Sequence, residues 1–140
     1  MSIQQVNALD WVRARQTELF AAGRPNPMAL LAYIVSDVLE LGRGECRIVA
    51  NDLWWFVSSN VDWMVHATIP VAGLFERVVP APEHGEHSLR AEILLNAFAK
   101  DVMTEAPGGR MIVKGIPPDD HLVQAALDVR WARRFVAFRL

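Results

Sequence analysis

An α+β fold, with helices packed on one face of a mainly antiparallel sheet, is what three features of this sequence predict. Hydrophobic periodicity changes from helical to alternating after residue 45, and helical patterns return only between short strand-like runs. Proline and glycine punctuate the chain at many of the changes of pattern. No repeat, low-complexity tract or long linker divides the 140 residues, so residues 1–140 read as a single domain with the order ααββββαβαβ.

The first helix is expected over residues 3–21, where Ile3, Val6, Leu9, Val12, Leu19 and Phe20 share a face. Gly23-Arg24-Pro25 breaks it, and Asn26 before Pro27 supplies an N-cap followed by proline in the first helical position. The second helix then runs to about Leu41, with Gly42 as its C-terminal cap. Its apolar residues, Leu30 and Ile34 among them, go most of the way round the axis, which predicts packing on more than one side.

From Glu45 the reading is β. Cys46–Ala50 and Leu53–Ser58 form two short runs around a two-residue turn at Asn51-Asp52. Val61, Trp63, Val65, Ala67 and Ile69 alternate with polar residues, predicting a strand; a helix capped by Ser59 or Asn60 is the other option for 60–69. A further strand is expected at Leu74–Val79, then a loop at Pro80, Pro82 and Gly85. Ser88 caps a third helix reaching about Thr104, which Pro107-Gly108-Gly109 stops. Met111–Lys114 is a short strand, Pro117-Pro118-Asp119 opens a fourth helix through about Trp131, and Phe135–Arg139 closes the chain as a strand.

Hydrophobic residues make up 52% of the chain and charged residues 21%, which excludes a disordered or low-complexity segment and leaves an apolar surplus to be housed. A net charge of −2 supplies no field for nucleic acid or an anionic membrane. Twelve of the 14 basic residues are arginines, a type suited to planar bidentate contacts. Cys46 is the sole cysteine, so neither an intrachain disulfide nor a thiolate zinc cluster can form, and a cytoplasmic setting is expected. The first residues carry no basic-then-apolar signal, and the longest apolar run, Met28–Val35, is far short of the ~20 residues a membrane span needs.

Chemistry concentrates in Glu83-His84-Gly85-Glu86-His87-Ser88. His84, Glu86 and His87 offer imidazole and carboxylate donors for a divalent metal, with His66 or Asp62 as a third ligand; any other cofactor is unknown. Asp62 and His66 could also form a carboxylate-oriented imidazole, with Ser58, Ser59, Thr68 or Cys46 as nucleophile, but none of the four sits in a nucleophile-elbow sequence. Glu92-Ile93-Leu94-Leu95-Asn96-Ala97 resembles the Glu-x-x-x-Asn-Ala box with which histidine-kinase-type ATPases hold magnesium and nucleotide. The Asp-x-Gly-x-Gly box that those enzymes need downstream is absent from the sequence, so the six residues read as a helix face.

Trp54 and Trp55 must point to opposite faces of their strand, and with Trp63, Leu30 and Ile34 they are the residues expected at an interface; a sheet covered on both sides would instead make both tryptophans core. Arg130, Arg133 and Arg134, near Arg139, form a basic patch for an anion or an acidic partner. The function expected is a small soluble interaction protein without catalytic activity, self-associating as a homodimer or capping a protein partner as adaptors, assembly factors and toxin-neutralising proteins do. The alternative is a metal-dependent or small-molecule-binding enzyme built on the His84/Glu86/His87 loop.

Overall fold

The computed structural model describes residues 7–81 and 88–140. The fold is α+β, with a single five-stranded antiparallel sheet. Helices α1 (Ala8–Arg13), α2 (Gln16–Leu19) and α3 (Pro27–Asp37) precede strands β1 (Cys46–Asn51) and β2 (Trp54–Ser59). Helices α4 (Val71–Glu76) and α5 (Glu92–Phe98) follow, then β3 (Asp101–Ala106), β4 (Gly109–Lys114), α6 (Asp120–Ala126) and β5 (Arg134–Arg139).

Local chemistry accounts for the helix ends. The Asn7 side chain accepts the N–H groups of Leu9 and Asp10, and Asn26 accepts that of Ala29 ahead of Pro27, as the N-cap reading expects. The first helix is broken after Arg13 into α1 and α2. At the other end of α3, residues Val38–Gly42 widen into a π turn, and the left-handed residue is Arg43 (φ 56°), not Gly42. Gly42 serves another purpose: a Cβ there would lie 3.0 Å from the Cβ of Trp63.

The strand order is β1-β2-β5-β3-β4. Two hairpins, β1–β2 and β3–β4, are thus joined only through β5, the last strand in the sequence, which inserts between β2 and β3. Alternation along these strands feeds two cores. Val57, Val102, Val136 and Phe138 point to the face carrying α1, α3, α4 and α5, where they meet Val12, Leu30, Ile34, Leu74, Phe75 and Leu95. Trp54, Phe56, Met103, Phe135 and Ala137 point the other way, under Val123, Ala126 and Leu127 of α6 and the residue after it. Most helices share one face, as expected, while α6 covers part of the second.

Three expected elements differ. Residues 60–69 are neither strand nor helix: Ser59 Oγ accepts Val61 N–H, Asp62 Oδ1 accepts Met64 N–H, and His66 Nδ1 accepts the N–H groups of Thr68 and Ile69. Side chains satisfy the backbone donors that a ladder would have used. The strand expected at Leu74–Val79 is instead α4 and an extended stretch. The third helix stops at Phe98, and residues to Thr104 belong to β3, whose β-branched Val102 and Thr104 face the larger core. Ala106 pairs with Gly109, so Pro107-Gly108 is a hairpin turn; Asn51 pairs with Trp54, which puts the first turn at Asp52-Leu53, with Asp52 left-handed (φ 55°). No helix among the described residues is long and apolar enough to cross a membrane.

Because β5 alone bridges the hairpins, its core side chains should dominate stability. Phe138→Ala, at a site with no solvent exposure, should cost about 3–5 kcal/mol in urea unfolding, against less than about 0.5 kcal/mol for the exposed Val129→Ala.

Candidate functional site

Charged side chains inside this molecule are bound to one another. Arg134, on β5, donates from Nε and Nη2 to the two carboxylate oxygens of Asp62, both at 2.9 Å, and from Nη1 to Thr104 Oγ1 at 3.2 Å. Such a bidentate fork ties the irregular 60–69 segment to the central strand. At the other end of β5, Arg139 Nε donates to Asp101 Oδ2 at 2.5 Å, and Asp101 Oδ1 accepts the Ile116 N–H at 2.7 Å. Gly115 makes that approach possible: it is left-handed (φ 69°), and a Cβ there would lie 2.1 Å from Asp101 Oδ1. Beneath α5, Arg90 donates to both oxygens of Glu92 and, at 3.1 Å, to the Trp63 carbonyl, while Asp37 Oδ2 accepts the Ala91 N–H at 2.8 Å.

These pairs redirect several expected site residues. Asp62 is held by Arg134 and does not orient His66, whose Nδ1 is occupied by backbone donors. Glu92 is fully buried on Arg90, and the Asn96 amide donates to the Phe75 carbonyl, so the pair resembling a nucleotide-binding box is bound into the fold. Burial pushes the Cys46 thiol above its ordinary pKa, the opposite of what a nucleophile requires. His84, Glu86 and His87 lie outside the described residues. Among the described residues no group of three His, Cys, Asp or Glu side chains could hold a metal.

Of the residues expected at an interface, Leu30, Ile34, Trp54 and Trp63 are buried within the one chain. Trp54 and Trp55 do take opposite faces: Trp54 enters the smaller core, with the Arg139 guanidinium 5.1 Å from its ring, and Trp55 is half-buried against the larger one. Of the five, Trp55 alone keeps part of its surface exposed. In the basic patch, Arg134 is buried on Asp62, and Arg130 and Arg133 are exposed. Arg110, across a shallow cleft from Arg133 and Arg134, is shared by Glu105 and Asp120, and these carboxylates raise its pKa.

A cavity of about 490 Å³ opens between α1, α3 and residues 88–94, with Trp11, Leu19, Tyr33 and Leu94 on its walls. Two of its polar side chains are engaged by the fold. Tyr33 Oη donates to the Leu19 carbonyl, and the Arg15 guanidinium lies over the Trp11 ring at 3.7 Å.

The two sheet edges differ in how they meet solvent. On β4 the ladder skips Val113 between the pairs Val102–Lys114 and Met103–Ile112, a bulge that breaks the edge. Lys114 turns inward and donates to the Asn96 carbonyl at 2.8 Å; burial and the nearby Arg13 hold its pKa below the usual value, against the pull of Asp101. Bulges and inward lysines are devices that block edge pairing. β1 has neither, and its six residues pair with β2 in unbroken register. Toward the helix-rich face it presents exposed Ile48 and Ala50 beside half-buried Cys46 and Trp55, and the hairpin turn adds Leu53, 73% exposed. On the opposite face the only charge of β1, Arg47, stacks its guanidinium 3.7 Å from the Trp131 ring. Exposed backbone and an apolar strip on a straight edge strand form the candidate binding surface. Its sequence signal was β1 itself: a six-residue run with one charge and no proline.

Burial raises the Asp101 pKa, but the hydrogen bond from Arg139, the Ile116 N–H and the positive charges of Arg139 and Lys100 outweigh it and leave the carboxyl below its ordinary value. A depressed folded-state pKa contributes stability that is complete above the unfolded value, about 4, and is lost as pH falls through the folded one. Asp101→Asn should therefore lower stability at pH 7 and flatten its decline on acidification, read as urea midpoints between about pH 7 and pH 2. Neither a family model nor a curated protein nor a solved structure matches this chain.

Proposed function

We propose that this chain is a protein-binding domain of the adaptor or assembly-factor kind, and that its working surface is the β1–β2 hairpin. One observation carries the reading. Of two edge strands in the same sheet, β4 is bulged and holds an inward lysine, while β1 is regular, apolar and exposed. An edge of the second kind is a template for β-augmentation, in which main-chain hydrogen bonds supply affinity and alternate side chains supply selectivity. Ile48, Ala50 and Leu53 are the side chains that a docked strand would meet. The internal ion pairs support the same reading, because the Asp62, Glu92 and Asp101 carboxylates are spent on arginines that hold the scaffold.

Photo-crosslinking in cells tests this. A benzophenone side chain at position 48 or 53 should give covalent protein adducts, and the same group at positions 78 and 129, which are also exposed, should not. Equal adduct yield at all four positions, or none at 48 and 53, would sink the reading.

A further inference from the structure

We infer that the occupant of the β1 edge is β1 of a second copy of this chain, paired antiparallel about a two-fold axis at Ile48. The inference rests on the binding reading above and adds the partner and the register. The argument is the self-complementarity of the strand. With the axis at Ile48, Ile48 faces its own symmetry mate, Arg47 faces Val49 of the other copy, and Cys46 faces Ala50 of the other copy. No like charges meet. Shifting the axis one residue back would set Arg47 against Arg47, a destabilising pair.

Shifting it one residue forward would centre the interface on Val49, which already packs against the smaller core of its own chain. At Ile48 the central side chain is the one still 48% exposed, so pairing there removes the most apolar surface from water. Arg47 offers no obstacle, because its guanidinium lies on Trp131 on the other face. A net charge of −2 per chain adds little repulsion between copies. The product is one continuous antiparallel sheet through both copies, with the guarded β4 strands at its two ends, which stops further growth.

Sedimentation equilibrium on the full chain should give a species of twice the 15.7 kDa chain mass. Ile48→Lys should weaken the dimer by about a hundredfold or more, while Ile112→Lys on β4 should leave it unchanged. Far-ultraviolet circular dichroism and urea midpoints check that both variants fold. Register has its own readout that does not depend on Ile48→Lys folding: in a Cys46→Ser background, Ile48→Cys should cross-link copies on mild oxidation and Ile112→Cys should not. A wild-type chain that stays monomeric up to about 500 µM would overturn the inference, as would a dimer that survives Ile48→Lys or cross-links through position 112. Adducts from position 48 to a different protein, with the purified chain monomeric, would overturn self-pairing and leave the binding reading standing.

Discussion

Everything in this fold depends on β5 reaching the centre of the sheet. The two hairpins share no ladder, so until residues 134–139 insert between β2 and β3 there is no sheet, only two ribbons. Isolated two-stranded ribbons are marginal in water, and each core lacks part of its floor without β5: Val136 and Phe138 on one side, Phe135 and Ala137 on the other. The strand is also pinned at both ends, by Arg134 on Asp62 and Arg139 on Asp101. A buried ion pair adds little net energy compared with an apolar pair, but it penalises wrong registers heavily, since a one-residue slip would strand two arginines and two carboxylates. The closure pairs strands far apart in the sequence, a kind of contact that slows folding.

That same arrangement sets what the polar residues do. The arginine excess has a structural use here: guanidinium forks hold Asp62 and Glu92, a single Nε–H bond from Arg139 holds Asp101, and guanidiniums lie over the rings of Trp11, Trp54 and Trp131. A lysine could not make a planar bidentate contact at Asp62. At its edges the sheet ends differently on the two sides, and that asymmetry is the feature on which the proposed binding rests. An inward lysine costs desolvation, and a bulge costs ladder hydrogen bonds, so a sheet that carries both on one edge and neither on the other is guarded against edge pairing on one side only.

The apolar surplus of the composition divides accordingly. Most of it fills two cores, one on each face of the sheet, which accounts for the burial of Leu30, Ile34, Trp54 and Trp63 inside a single chain. A smaller part stays exposed at several places, among them Met28, Val65, Ile116 and Val129 as well as Ile48 and Leu53 on the first hairpin. A sheet with one covered face would have left a tryptophan outside; α6, lying over the second face, is what removes Trp54 from the surface.

Local rules were legible wherever a residue acts on its neighbours. Asn26-Pro27 starts a helix, the turn expected at Asn51-Asp52 falls one residue later at Asp52-Leu53, and the 134–139 run is a strand, because caps, turns and alternation are short-range physics. Alternation over 60–69 misled because Ser59, Asp62 and His66 hold the backbone themselves. Pro107-Gly108-Gly109 reads equally as a helix stop and as a hairpin turn, and only the pairing of Ala106 with Gly109 decides between them. By itself, then, the sequence determined an α+β chain, most element types and the β character of both edge strands. The tertiary structure alone decided that β5 lies at the centre, that Asp62 belongs to Arg134 rather than to His66, and that β1 ends the sheet, because each depends on which residues far apart in the chain come together, which no local pattern encodes.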